Sequence, residues 1–197
     1  MAPTEIALFP LNTVLFPGGI LPLRIFEPRY LAMVSQCLRR PCHFAVVAIK
    51  EGSEVGGVAR CYEVGTLASI VDFDRLDDGL LGITCRGEQR LHILSKRVQP
   101  DRLLVAEVEV VPGEPRISLP RRFASLLDVL KSVLDPEETP HYSLLLVTDW
   151  DSASWVGNRL AEILPLPVAI KQALLVLNDP IQRLDILYEL LQEPHSH

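Results

Sequence analysis

The chain has 197 residues, 48% of them apolar and 22% charged, a balance that supports a buried core without disulfide staples and excludes a disordered or collagen-like chain. Nineteen Lys and Arg against 25 Asp and Glu leave a net charge of -6 and an isoelectric point near 5.4, which repels a polyphosphate backbone and argues against a nucleic-acid partner. Sixteen prolines exceed the usual share of about 5%, and their positions carry much of the information.

The N-terminus has no basic region, and Pro10 and Asn12 interrupt the apolar segment behind it, so it does not read as a signal peptide. Mean hydropathy is +0.23, yet runs such as Leu144 to Val147 and Ala173 to Leu177 fall far short of the roughly 20 residues a spanning helix needs. A cytoplasmic protein with no membrane partner is expected.

The first half reads as strands: Ile6 to Phe9, Ile20 to Ile25, His43 to Lys50, Arg60 to Val71, Leu80 to Arg86, Glu88 to Val98 and Leu103 to Val111. Pro17-Gly18-Gly19, Gly52, Gly56-Gly57, Asp77-Asp78-Gly79 and Gly87 punctuate them. In the last run Glu107 and Glu109 alternate with Ala106, Val108 and Val110, the mark of a half-buried strand. Strands of this spacing favour a barrel or sandwich. One helix interrupts them at about 28–40, opened by Pro28 at its first position. Tyr30, Leu31, Val34, Cys37 and Leu38 form its apolar stripe, and it is expected to plug one end of the sheet.

Cys37, Cys42 and His43 invite a metal reading, but no second ligand pair of zinc spacing follows and Cys37 lies on the apolar stripe, so no metal is assigned. With Cys61 and Cys85 they are expected to be reduced, mostly buried thiols. Asp72, Asp74, Asp77 and Asp78 lack the closing glutamate of a calcium loop and suit a hairpin turn. His43 and His92 fall in strands as structural histidines, while His141, His195 and His197 have no neighbouring nucleophile in the sequence.

After Pro112-Gly113-Glu114-Pro115 the apolar period changes from two to 3.6. Phe123, Leu126, Leu127, Leu130, Val133 and Leu134 form one stripe, with Pro136 past its end. Trp155, Val156, Leu160, Ile163 and Leu164 form a second, capped by Asp151 or Ser152. Pro167 starts a third helix running through Leu177. Asp179-Pro180 caps and starts a fourth, with Ile181, Leu184, Leu187, Tyr188 and Leu191 inward.

No phosphate loop, nucleophile elbow, zinc-protease helix or dinucleotide fingerprint occurs in the sequence. Residue chemistry alone therefore points to a binding module with no catalytic residues and no cofactor.

Phe9-Pro10-Leu11-Asn12-Thr13-Val14-Leu15-Phe16-Pro17-Gly18-Gly19, with Leu21-Pro22-Leu23 and Phe26-Glu27-Pro28-Arg29-Tyr30, resembles the opening of the Lon protease N-terminal (substrate-binding) domain family. Glu63 to Ile70, Asp78-Gly79, Gly87 to Leu91, and Arg159 through Leu164-Pro165-Leu166 and Lys171-Gln172-Ala173-Leu174-Leu175 to Arg183-Leu184 extend the match in order over nearly the whole chain. Asn12-Thr13 departs from the family's usual Arg-Asp pair.

The resemblance implies an α+β fold in which a PUA-like β pseudo-barrel (1–115, carrying the 28–40 helix) is followed by a C-terminal helical bundle (116–197), together one Lon N-terminal-like domain. In full-length Lon this domain precedes an ATPase and a Ser-Lys protease, and the chain stops at His197. A free-standing, non-catalytic polypeptide-binding or adapter protein of protein quality control is therefore expected. The implied partners are unfolded or tagged polypeptides, a separate protease or chaperone, and a second copy in a homodimer. Glu27, Pro28, Arg29 and Tyr30 are the expected contact residues. Two alternatives remain open: RNA or nucleotide binding through the PUA-like part, and small-molecule binding in a pocket between barrel and bundle.

Overall fold

Period-two apolar patterns dominate the first half of the chain, and in the computed structural model they become six strands. The structure describes residues 4–40, 42–54, 59–134 and 144–192. It divides into two compact units, Met1–Pro112 and Gly113–His197.

The first unit contains β1 (Thr4–Leu11), β2 (Ile20–Ile25), α1 (Pro28–Arg39), β3 (Phe44–Glu51), β4 (Arg60–Arg75), β5 (Leu81–Val98) and β6 (Leu104–Val110). The strand order is β2-β5-β4-β3-β1-β6, and β5 also pairs with β6. Leu81 to Arg86 of β5 pair with β2, and Leu91 to Val98 pair with β6. Hydrogen bonding therefore runs from β5 through β4, β3, β1 and β6 back to β5. Only β1–β3 is parallel among these pairings.

Strand alternation sorts the apolar side chains into two clusters. Phe9 and Leu11 of β1, Phe44 and Val46 of β3 and Val105 of β6 belong to one. Ile6 and Leu8, Ala45 and Val47, and Ala106 and Val108 belong to the other. β3, with Phe44 to Ile49 all buried, is apolar without alternation because both its faces are covered. Tyr30, Met33 and Val34 of α1 join the Phe9–Phe44 cluster, so the helix packs over a sheet face instead of plugging an end.

Two expectations change here. Gly87 does not end a strand: β5 is continuous for 18 residues through it, because the glycine permits a close backbone approach. Cys37 and Cys42 are not free thiols but form a disulfide, the last turn of α1 bringing their Cα atoms to 4.9 Å. Cys61 and Cys85 are buried free thiols. The aspartate cluster does form a hairpin: Gly79 N–H donates to the Leu76 carbonyl, Leu80 N–H donates to Asp78 Oδ1, and Gly79 takes a positive φ of 83°.

The second unit contains α2 (Ala124–Val133), entered through a 3-10 turn at Arg121–Phe123, then α3 (Ala153–Ile163), α4 (Val168–Val176) and α5 (Pro180–Gln192). Pro136, His141, His195 and His197 lie outside the described residues. Pro167 is the N-cap of α4 and Pro180 opens α5, where a missing N–H costs nothing. Ser152 Oγ accepts from Trp155 N–H at 3.2 Å, and Asp179 Oδ1 accepts from Ile181 N–H at 2.8 Å. Ser152→Ala is expected to lower stability by about 1 kcal/mol, read as a reduced urea midpoint with an unchanged denaturant slope. Among the described residues no helix is long and apolar enough to cross a membrane.

Phe123, Leu126, Leu130, Val156, Leu160, Leu174, Leu184 and Leu187 are buried, and amid them lies a polar core. Arg159 and Arg183 are both fully buried. Arg183 donates to Glu114 at 2.9 and 2.5 Å, to the Leu174 carbonyl at 3.0 Å and to the Leu177 carbonyl at 2.7 Å. Ser154 Oγ also donates to Glu114. Arg159 pairs with Glu162 at 2.8 Å, and Lys171 Nζ donates to the Glu162 carbonyl at 2.6 Å. Trp155, expected in the apolar stripe, is only half-buried and meets Trp150 edge-on at 4.8 Å, because Val156 and Leu160 take the inward positions.

Candidate functional groove beside the first helix

The turn from β2 into α1 places the expected contact residues. Glu27 is the N-cap of α1 and Pro28 its first residue. The Glu27 carbonyl accepts from Tyr30 and Leu31 N–H, both at 3.0 Å, which starts the helix without a side-chain cap. Tyr30 then points inward, stacked on Phe9 with ring centroids 4.1 Å apart. The Arg29 guanidinium lies 4.7 Å from the Tyr30 ring centroid, pairs with Glu27 at 2.8 Å and donates to the Arg102 carbonyl at 2.9 Å. Burial, before any charge nearby, pushes the Tyr30 phenol up to about 12, so it stays neutral at physiological pH.

Beside this cluster runs a groove of about 300 Å³, at the small end of the range for ligand sites. Its floor is apolar, made by Phe9, Leu11 and Tyr30, and Pro10, Pro22 and Leu23 line its walls. Phe26, Arg24, Glu27 and Glu54 complete the lining. Phe26 is 51% exposed, an unusual position for a phenylalanine. Arg24 pairs with Asp78 of the β4–β5 turn, and Glu54 accepts from the Asn12 N–H at 2.5 Å.

Of the four expected residues, the structure brings Glu27 and Tyr30 to this groove. Arg29 turns toward Arg102 and lines a much smaller cleft, and Pro28, although exposed, lines neither described recess. Sequence reasoning did not single out Phe26, Leu23, Arg24 or Glu54. Phe26 carried a signal, an aromatic residue between a strand end and a helix start, where neither period demands one. Glu54 carried none, since it arrives from a distant loop.

The groove is arranged for recognition by shape and apolar contact. Its carboxylates and guanidinium are engaged in structural pairs, and the one phenol facing it is held neutral. β2, whose Pro22, Leu23 and Arg24 form one wall, has β5 as its sole strand partner among the described residues. An extended chain in the groove would thus lie beside a sheet edge.

Comparison with known proteins gives a consistent picture. The profile of the family described as ATP-dependent protease La (LON) substrate-binding domain matches residues 5–193. A Lon N-terminal domain protein from Xanthomonas campestris, known from its crystal structure, is 36% identical, with a TM-score of 0.77 over 97% of this chain and 99% of that one. The N-terminal domain of Mycobacterium avium complex Lon protease shares the fold at 20% identity, with a TM-score of 0.66 over 96% of this chain and 99% of that one. Lon protease 2 of Myxococcus xanthus is 26% identical over 96% of this chain and 24% of its own length. Lon protease of Parabacteroides distasonis is 26% identical over 90% and 22%. The chain spans about a quarter of the length of these curated relatives.

Proposed function

The chain belongs to the ATP-dependent protease La (LON) substrate-binding domain family, and on that premise we propose that it is a non-catalytic polypeptide-recognition protein serving as an adapter in protein quality control. The observation that carries this reading is the apolar groove with Phe26 on its lining, floored by Phe9 and Tyr30. Aromatic anchors in such positions hold apolar side chains that unfolded polypeptides expose and folded ones do not. The adjoining edge of β2 offers main-chain pairing that is indifferent to sequence, as a receptor for many substrates requires.

The closed hydrogen-bonding circuit of the first unit supports reading it as a PUA-like pseudo-barrel, and the four helices among the described residues of the second support a C-terminal bundle. A cytoplasmic setting, delivery of bound chains to a separate protease or chaperone, and pairing with a second copy belong to the same reading.

The test is binding of a fluorescently labelled, permanently unfolded polypeptide, followed by anisotropy without nucleotide. Saturable binding is expected, with no cleavage of the probe. Phe26→Ser, at an exposed position where the fold is indifferent, should weaken it about tenfold, equivalent to about 1.4 kcal/mol. Equal affinity in the variant would remove the groove from the reading. Cleavage of the probe by the purified protein would remove the non-catalytic assignment.

A further inference from the structure

We infer that the Cys37–Cys42 disulfide is an exchange-competent redox site, which accepts an anionic low-molecular-weight thiol at Cys42 Sγ with Arg39 and Arg40 as the anion-recognising groups. The two sulfurs differ in access. Cys37, in the last turn of α1, is half-buried and packs on the Phe9–Phe44 cluster. Cys42 follows the helix and is exposed. A nucleophile from solvent therefore meets Cys42 first, and Cys37 is the leaving group. Exposed disulfides are the labile ones, whereas structural disulfides are shielded.

A recess of about 470 Å³ lies at this point, with Gln36, Arg39, Arg40 and Cys42 in its lining. It is large enough for a tripeptide-sized ligand. Both arginines are exposed, and among the described residues no carboxylate forms an ion pair with either. Two free guanidinium groups beside a reactive sulfur, in a chain of net charge -6, form a local exception that attracts carboxylate-bearing thiols and stabilises thiolate. The other cysteines do not compete. Cys61 and Cys85 are buried, and desolvation pushes both thiols up, Cys85 to about 12.

The exchange balances in two steps. The incoming thiolate attacks Cys42 Sγ, the Cys37–Cys42 bond breaks, and its electron pair leaves on Cys37 Sγ, which takes a proton from water. A second small thiolate then attacks the small-thiol sulfur of the mixed disulfide and releases Cys42 as thiolate. The protein disulfide gains two electrons, and two small thiols are oxidised to their own disulfide.

The test uses the full chain purified without reductant, with glutathione as the anionic thiol and β-mercaptoethanol as the neutral one. Intact mass after an acid quench, removal of the small thiol and then alkylation at near-neutral pH in denaturant should show Cys37 and Cys42 linked before treatment and free afterwards. Arg39→Gln/Arg40→Gln should slow reduction by glutathione about tenfold and slow reduction by β-mercaptoethanol, which brings no charge beyond its thiolate, by much less. Cys37→Ser treated with oxidised glutathione should retain one glutathionyl group at Cys42. If Cys37→Ser does not fold, the rate comparison, which leaves both cysteines in place, decides alone. Cysteines found unlinked in the untreated protein, or equal effects of the arginine replacements on both thiols, would overturn the inference.

Discussion

Arg183→Met lowers the unfolding free energy of the Gly113–His197 unit by about 3–5 kcal/mol. The Arg183 side chain is fully buried and its partner Glu114 is 7% exposed, so the variant leaves a carboxylate without its countercharge in a site with little access to water. The Leu174 and Leu177 carbonyls, which end α4, lose donors at the same time. Glu114→Leu alone should cost a similar amount, since it leaves the guanidinium with carbonyl partners only. The double variant should recover much of either loss, because an apolar pair of similar volume removes the desolvation penalty from both sides. Urea denaturation followed by tryptophan fluorescence reads this directly. Both tryptophans of the chain, Trp150 and Trp155, lie in this unit. Strict additivity of the two single losses would refute the coupling.

This polar core also shows where sequence reasoning stops. The segments around Arg159, Lys171-Gln172 and Arg183 were visible as a family resemblance, yet periodicity treats arginine as a surface residue and placed none of them inside. Burial of Arg159 and Arg183 depends on acceptors delivered by Glu162, Glu114 and the end of α4, an arrangement made by the tertiary fold. Elements governed by local rules were legible: the strand alternation of β6, the Pro28 start of α1, a cap of α3 at Asp151 or Ser152, which the structure places on Ser152, and the Asp179-Pro180 start of α5. Elements governed by long-range geometry were not. The Cys37–Cys42 bond depends on where the last turn of α1 carries Cys37, and Glu54 reached the groove across 42 residues of sequence from Asn12. The groove was half legible, because Glu27 and Tyr30 sit in a recognisable helix start while Phe26 had only its misplaced hydrophobicity to mark it.

Gly87→Ala is expected to destabilise the Met1–Pro112 unit by about 3 kcal/mol or more, a large effect for one methyl group. A Cβ at this position would sit inside van der Waals contact with the Phe16 carbonyl oxygen and 3.1 Å from both Phe16 C and Leu15 Cγ. The carbonyl cannot retreat freely. Gly18 N–H donates to the Gly87 carbonyl at 2.7 Å, Gly87 N–H donates to the Gly19 carbonyl at 2.8 Å, and Thr66 Oγ1 holds the adjacent Leu15 carbonyl at 2.6 Å. These bonds fasten the Leu15–Gly19 segment to β5 and β4 just ahead of β2, so the methyl group must either break them or displace the start of β2. Because Pro22, Leu23 and Arg24 of β2 wall the groove, the variant should lose polypeptide binding together with amide-exchange protection in β2 and in β5 around Gly87. Gly113→Ala, where a Cβ would meet nothing within 4 Å, should change neither. Phe26→Ser separates the two effects, with binding lost and exchange protection kept. If Gly87→Ala retained full protection, the close approach of Phe16 would not be what makes glycine necessary here. If it lost protection and still bound the unfolded probe, the recognition surface would lie away from the β2 wall.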